Sequence, residues 1–283
     1  MPATLHPSEM TDTSPVPADV PYLLVFGIGY SGLRIAMDRK SRHWQVTGTT
    51  RSRGRAAALE EAGIEGLVFD GDDLRASDDD ALRAALGRAT HLLISVPPGP
   101  DGDPVLRRFR EEVLALGEGP AQWIGLLSTT GVYGDRGGDW VDEATEVQPG
   151  LERTRRRVQA EKEWSTVSSI TGVPLQLFRI SGIYGPGRSA LDRIRAGRAR
   201  AVVKEDSIFN RVHVDDLVGG VLAGMDHPER PGIYNLADDL PAPNHEVLRY
   251  AAELLGADPP EEIPFEEAGL SRMGASFFAE DRR

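Results

Sequence analysis

The chain has 283 residues, a formal net charge of −12 and no cysteine. This length is sufficient for one large α/β domain or for two lobes that share a core. The negative charge argues against nucleic acid or an anionic membrane as a partner, and no apolar run approaches the roughly 20 residues of a membrane-spanning helix. The lack of cysteine excludes disulfides, thiolate nucleophiles and cysteine metal ligands, and it is consistent with the reducing cytoplasm, where we expect the protein to act.

The first 20 residues differ in composition from the rest of the chain. They are rich in Pro, Ser and Thr, and they have neither the basic start nor the apolar centre of a secretory signal. We therefore predict a disordered tail over residues 1–20 and a single folded unit over residues 21–283.

A glycine turn follows the first apolar run, Tyr22–Phe26. Gly27, Gly29 and Gly32 have the G-x-G-x-x-G spacing of a dinucleotide-binding turn. The first glycine permits a sharp turn, the second lets backbone amides approach a pyrophosphate, and the third lets the helix pack close to its strand. The helix N-terminus favours phosphate through its partial positive charge and free amides. We predict that the whole turn binds a cofactor, through Gly27, Ile28, Gly29, Tyr30, Ser31 and Gly32.

Short apolar runs alternate with helix-compatible segments from residue 22 to about residue 128. This alternation predicts right-handed βαβ crossovers, and hence a doubly wound α/β (Rossmann) fold with its ligand site at the carboxyl ends of parallel strands. The predicted strands are Tyr22–Phe26, Gln45–Thr49, Gly66–Phe69, His91–Val96 and Gln122–Leu127; the predicted helices include Arg53–Ala62, Asp79–Leu86 and Val105–Leu116.

The end of the second predicted strand indicates which cofactor binds. An NAD site would offer an acidic residue there for the ribose hydroxyls, but the chain has Arg51 and Ser52. An arginine can bind a 2′-phosphate with two hydrogen bonds and a serine can donate a hydroxyl, so we predict NADP rather than NAD. The alternative is a solvated basic start of the next helix.

Polar residues also follow the third and fourth strands. One of the acids Asp70, Asp72 and Asp73 is expected to accept a hydrogen bond from the adenine amino group, and we select Asp73. Ser95 opens a loop rich in Pro and Gly, which we expect to border the ligand cleft and contact the cofactor.

Four further motifs follow along the chain: Leu127–Asp135, Phe178–Arg188, Arg211–Leu217 and Tyr234–Asp239. In this order they resemble extended short-chain dehydrogenases/reductases, and specifically an atypical, epimerase-like NAD(P)-binding branch. The resemblance spans residue 22 to about residue 264. It implies a nucleotide-binding core at about 21–180 and 208–226, with a small discontinuous substrate lobe at about 181–207 and 227–283. The resemblance is also compatible with a homodimer.

The resemblance implies that Thr129 holds a substrate hydroxyl or carbonyl. The family also expects Tyr-x-x-x-Lys, whose ends fall at Arg153 and Arg157, and no tyrosine of this chain is followed four residues later by lysine. The usual acid/base pair is therefore missing. Tyr133 is the remaining candidate acid, with a packed structural ring as the alternative.

The arginine run at 153–157 has two interpretations. In the first, the run is a solvated face of a helix. In the second, Arg153 or Arg157 points into the cleft and binds an anionic substrate or the cofactor phosphates. We select Arg157 as a cofactor contact, because it replaces the family lysine at the nicotinamide ribose. His213 is predicted to be a hydrogen-bonded core histidine beside a helix cap, with a base or a ligand as the alternative. The scattered histidines predict no metal site.

Together these features predict an NADP-preferring, epimerase/dehydratase-like oxidoreductase that acts on a small carbonyl or sugar-like molecule. The alternative is an NADP(H)-binding sensor or regulatory protein without catalysis.

Overall fold

The computed structural model describes residues 20–73 and 77–283. The tail predicted over residues 1–20 lies outside these residues, apart from Val20. The described strands are β1 (Tyr22–Phe26), β2 (Gln45–Thr50), β3 (Glu65–Val68), β4 (His91–Ile94), β5 (Trp123–Thr129), β6 (Leu175–Ile180), β7 (Gly182–Tyr184), β8 (Ala201–Val203), β9 (Arg211–His213), β10 (Gly232–Leu236) and β11 (Glu262–Pro264).

Seven of these strands form one parallel sheet in the order β10-β6-β5-β4-β1-β2-β3. The sheet confirms the predicted doubly wound α/β fold. The chain continues from β1 to β2 on one side, whereas β4 pairs with β1 on the other side. Strand order therefore reverses at β1, and a crevice opens at the carboxyl ends of β1 and β4.

Helices cover both faces of the sheet. The described helices are α1 (Tyr30–Ser41), α2 (Arg53–Glu61), α3 (Asp79–Arg88), α4 (Pro104–Arg108), α5 (Arg110–Leu114), α6 (Glu152–Thr171), α7 (Ala190–Arg195), α8 (Val214–Asp226), α9 (Asn244–Leu255) and α10 (Arg272–Ser276). One apolar cluster of the core includes residues of α3–α6, and a second includes residues of α1, α2 and α8.

The single helix predicted over Val105–Leu116 is wrong in detail. The segment forms α4, α5 and a 3-10 turn over Ala115–Glu118. The break falls at Phe109, whose backbone has φ −125° and ψ 34°. Its fully buried ring packs with Phe26 and Phe69.

A smaller unit packs beside the carboxyl edge of the sheet. It contains the two-stranded pairs β7-β9 and β8-β11, and a separate apolar cluster that includes Val202, Phe209 and Phe278. The predicted lobe boundary at residue 227 differs from this arrangement. β10 pairs with β6 in parallel over five residues and so belongs to the main sheet. Among the described helices, none is both long enough and apolar enough to cross a membrane.

Candidate functional site

A cleft of about 600 Å³ lies at the carboxyl ends of β4, β5 and β6. Two groups of residues line it. We call the first the turn wall, which is the start of α1 together with Ser95. We call the second the strap wall, which is Arg153 at the start of α6, residues 208–210 and the C-terminal strap, residues 276–283.

The glycine turn has the geometry expected of a dinucleotide cradle. Gly27 has φ +91°, and a Cβ there would lie 2.8 Å from Cγ1 of Val96. A Cβ at Gly32 would lie 3.3 Å from the carbonyl oxygen of Gly27, so this glycine permits the close packing of α1 on β1. At Gly29 a Cβ would meet no described atom within 4 Å. The backbone is therefore approachable at Gly29, as a bound pyrophosphate requires.

The rest of the turn leaves the start of α1 available to a ligand. Ile28 donates its backbone N–H to Thr49 O at 2.8 Å. No side chain caps α1, which begins at Tyr30, and both Tyr30 and Ser31 line the cleft. An N-terminus with free amides fits a phosphate group. Tyr30 also reaches the smaller unit, because its hydroxyl donates to Pro186 O at 3.0 Å.

The structure separates the other predicted cofactor contacts. Ser95 lines the cleft, whereas Arg51, Ser52 and Asp73 lie outside the cavity at exposed positions. Arg51 follows β2 directly, and none of the described carboxylates lies within 4.0 Å of its guanidinium. Arg53, by contrast, pairs with Asp78 at 2.6 Å.

Thr129 is the last residue of β5 and lines the cleft, at the strand end where it was predicted. Its Oγ1 accepts a hydrogen bond of 3.1 Å from the backbone N–H of Gly131. This bond fixes the side chain and leaves the hydroxyl hydrogen available for another acceptor. The position suits a contact with substrate, and the role in catalysis stays a prediction.

Tyr133 does not line the cleft, and this corrects its predicted role as the acid. Its side chain is fully buried. The hydroxyl donates to Oδ1 of Asn235 at 2.8 Å and accepts from Nη1 of Arg179 at 3.0 Å. The guanidinium carbon of Arg179 also lies 4.9 Å from the ring centroid. These contacts give Tyr133 a structural role.

A buried ion pair lies at the end of β5. Arg179 Nη2 contacts Glu161 Oε2 at 2.8 Å, with 5% and 6% of their side chains exposed, and Ser128 Oγ donates to Oε1 of the same glutamate. The sequence analysis missed this pair. A signal was present, since Glu161 lies three residues from Val158 and from Trp164 and so shares their buried face of α6.

The arginine run divides between two faces of α6. Arg155 and Arg156 pair with Glu152 at 3.4 and 3.1 Å, as on a solvated face. Arg153 and Arg157 line the cleft, as the other interpretation predicted. The run is therefore divided between a solvated face and the cleft, and what Arg153 and Arg157 bind stays a prediction.

Arg157 is the more enclosed of the two cleft arginines. Its Nη1 donates to Leu127 O at 3.0 Å. Burial lowers the pKa of its guanidinium, and this shift is opposed by the charges of Asp103 and Glu161. Asp103 is itself buried, where it caps α4 and accepts a hydrogen bond from Trp164 Nε1 at 3.1 Å. The pKa of its carboxyl is raised by burial.

The C-terminal strap was not predicted as part of the site. The backbone groups of Arg283 pair with those of Asp139 and Val141, at 2.9 Å in each case. Nδ2 of Asn210 donates to Arg282 O, also at 2.9 Å. These bonds hold Phe277, Glu280 and Arg282 against the cleft, where all three line the cavity.

His213 is hydrogen-bonded at a helix cap, as predicted, but it is not a core residue, because 30% of its side chain is exposed. It is the N-cap of α8, where its Nδ1 accepts from the backbone N–H of Asp215 at 3.3 Å, and its ring lies edge-on to Tyr184. Over residues 20–73 and 77–283, no three His, Cys, Asp or Glu side chains are grouped so as to hold a metal.

Similar proteins share this architecture. A solved structure of a functionally unknown conserved protein from Silicibacter pomeroyi is 37% identical, covers 93% of this chain and 89% of its own, and has a TM-score of 0.83. A putative NAD-dependent epimerase/dehydratase from Methylobacillus flagellatus is 23% identical, with coverages of 92% and 97% and a TM-score of 0.64. Protein YeeZ of Escherichia coli is 28% identical over 240 residues, which is 84% of this chain and 85% of YeeZ. No protein-family model matches the chain.

Proposed function

The chain belongs to the family of the Silicibacter pomeroyi protein, and we propose that it is an NADP-preferring, epimerase/dehydratase-like oxidoreductase of the cytoplasm. The observation that carries this proposal is the cradle at Gly29, where the open backbone and the uncapped start of α1 adjoin a cleft of about 600 Å³. A small carbonyl or sugar-like substrate fits such a space.

Different residues of the site have separate parts in the proposed reaction. The amides of the glycine turn would hold the pyrophosphate, and Arg157 would contact the ribose beside the nicotinamide. When bound, the nicotinamide supplies or accepts a hydride. The hydroxyl of Thr129 would position the substrate oxygen at the end of β5.

The preference for NADP rests on Arg51. Its guanidinium is exposed at the end of β2 with no described carboxylate within 4.0 Å, and so can bind a 2′-phosphate. Arg51→Asp should weaken NADPH binding by about 10- to 100-fold and leave NADH binding nearly unchanged. Nicotinamide fluorescence titrations measure both affinities. Arg55→Asp, an exposed position on α2, is the control, and an equal loss for the two cofactors would contradict the preference.

A second candidate is an NADP(H)-binding sensor without catalysis. It is favoured by the burial of Tyr133 and by the missing Tyr-x-x-x-Lys pair. Turnover separates the candidates, because both bind cofactor. An oxidoreductase should change the nicotinamide absorbance with some member of a panel of aldehydes, ketones and nucleotide sugars; a sensor should bind NADPH and change it with none.

A further inference from the structure

The charge of the cleft is opposite to that of the whole protein. The formal net charge of the chain is −12. Within the described residues, four arginines and one carboxylate residue line the cleft: Arg153, Arg157, Arg188, Arg282 and Glu280. A concave site with this excess of positive charge favours an anionic ligand.

Arg153 is held in the strap wall by groups that leave its charge uncompensated. Nη1 of Arg153 donates to Oγ of Ser276, and the guanidinium carbon lies 4.9 Å from the Phe277 ring centroid. Among the described residues, no carboxylate oxygen lies within 4.0 Å of it, whereas Arg155 and Arg156 on the same helix both pair with Glu152.

Arg282 is fixed in position by the strap. Its Nη1 donates to Gly134 O at 3.0 Å and lies 3.4 Å from Oε2 of Glu280, while 16% of the side chain is exposed. Its backbone carbonyl accepts from Asn210. Burial lowers the pKa of this guanidinium, and the carboxylates of Glu280 and Asp281 oppose that shift. A preorganised arginine of this kind binds an anion with little further loss of side-chain entropy.

Polar atoms of the strap wall lack hydrogen-bond partners. Oε1 of Glu280 and Nε of Arg282 are buried, and neither has a partner among the described residues. Only 8% of the Glu280 side chain is exposed. An unpaired buried polar group costs ~1–3 kcal/mol. A ligand with an anionic group and a hydroxyl carries an acceptor for Nε of Arg282 and a donor for Oε1 of Glu280.

The cofactor phosphates do not account for these arginines. The pyrophosphate is expected at Gly29 and the start of α1, and the 2′-phosphate at Arg51 outside the cavity. Arg153 and Arg282 belong instead to α6 and the strap, and they contact Ser276 and Gly134.

We propose that the substrate carries a carboxylate or a phosphate group, which Arg153 and Arg282 bind at the strap wall. The inference rests on the proposed function, since it takes the cleft as the substrate site. Glu280 accepts a hydrogen bond from a hydroxyl of the same molecule. The strap thereby selects hydroxylated anions over neutral compounds of similar size.

Matched probes test this proposal on the full chain saturated with NADP. Calorimetry compares succinate semialdehyde with butanal, and glyceraldehyde 3-phosphate with glyceraldehyde. At least one anionic probe should bind 10-fold or more tightly than its neutral partner. A preference for the anionic probe in the first pair alone identifies a carboxylate as the bound group, and a preference in the second pair alone identifies a phosphate. Equal affinities for the anionic and neutral probes in both pairs would overturn the proposal.

Variants assign the preference to the strap wall. Arg153→Gln and Arg282→Gln should each weaken the anionic probe by about 10- to 100-fold and leave the neutral probe unchanged. Arg156→Gln, on the solvated face of α6, should change neither. If Arg156→Gln weakens the anionic probe as much as the other two variants do, the preference comes from the overall positive charge. That result would contradict direct binding by Arg153 and Arg282.

Cofactor titrations keep the two proposals apart. NADPH affinity should be within about twofold of wild type in all three variants. Wild-type protein that binds no NADPH contradicts the proposed function, and the probes are then titrated without cofactor. Normal NADPH binding without anion preference contradicts this inference alone.

Discussion

The two walls of the cleft are built in different ways. The turn wall comes mostly from one continuous stretch, Gly29–Ser31 within the glycine turn, and depends on backbone shape. The strap wall unites Arg153 with Ser276, which lie 123 residues apart, and depends on side-chain charge and hydrogen bonds. The difference teaches that one wall of the cleft is set by local backbone geometry, whereas the other is set by contacts between residues far apart in the chain.

The largest expected effect comes from removing a long-range contact. Arg179→Met leaves Glu161 buried without its ion-pair partner. The free energy of unfolding should fall by ~3–5 kcal/mol, because an unpaired buried charge is strongly unfavourable. Urea unfolding measures the loss.

The control removes both charges. Arg179→Met combined with Glu161→Leu should recover a large part of the stability, since no charge is then buried alone. If Arg179→Met alone lowers the free energy of unfolding by less than about 1 kcal/mol, this long-range ion pair contributes little to stability.

A pH-dependent effect is expected at the end of the sheet remote from both walls. His91 opens β4, lies between Trp44 and Trp123, and has its pKa lowered from 6.5 to about 4, chiefly by burial. Between these values the unfolded state binds more protons than the folded state. Stability should therefore fall as pH decreases from 6.5 to 4, by up to about 3 kcal/mol.

Chemical unfolding across this pH range, compared with a His91→Leu variant, checks the prediction. The variant should lose most of this pH-dependent difference, while the exposed control His43→Asn should retain it. If the stability of the wild type and that of His91→Leu change equally between pH 6.5 and 4, burial of His91 does not cause the pH dependence.

A smaller effect is expected at the turn wall. Gly29 has an extended backbone, φ −114° and ψ −153°, and a side chain there meets no described atom. Gly29→Val should therefore fold normally but weaken NADPH binding about 100-fold, because the side chain occupies the path of the pyrophosphate. Melting temperature and cofactor titration separate the two effects.

Gly54→Val is the matched control, since a Cβ at Gly54 also meets nothing within 4 Å. Its cofactor affinity should stay close to wild type. If both variants bind NADPH normally, the turn wall is not the phosphate site.

Sequence was sufficient for five of the seven strands of the sheet and for the glycine turn, because these follow from periodicity and from backbone rules at single glycines. It did not place β10 in the main sheet. The runs Tyr22–Phe26 and Gln45–Thr49 were placed within one residue of β1 and β2. Thr129 was placed correctly because the carboxyl ends of parallel strands meet at one edge.

The remainder of the site needed tertiary contacts. Tyr133 has the local pattern of a site residue, yet the partners that bury its hydroxyl, Arg179 and Asn235, lie 46 and 102 residues away. No local pattern in the strap indicates that Glu280 and Arg282 face the cleft. Contacts of such sequence separation leave no periodic signal in one sequence.

Tyr30 has a consequence for the order in which ligands bind. It is the first residue of α1, and its hydroxyl contacts Pro186 while its ring lies 5.7 Å from the guanidinium carbon of Arg188. A cofactor bound at the glycine turn would therefore contact Tyr30, the residue that connects this turn to the smaller unit. We expect an ordered kinetic scheme, in which cofactor binds before the substrate and leaves after the product.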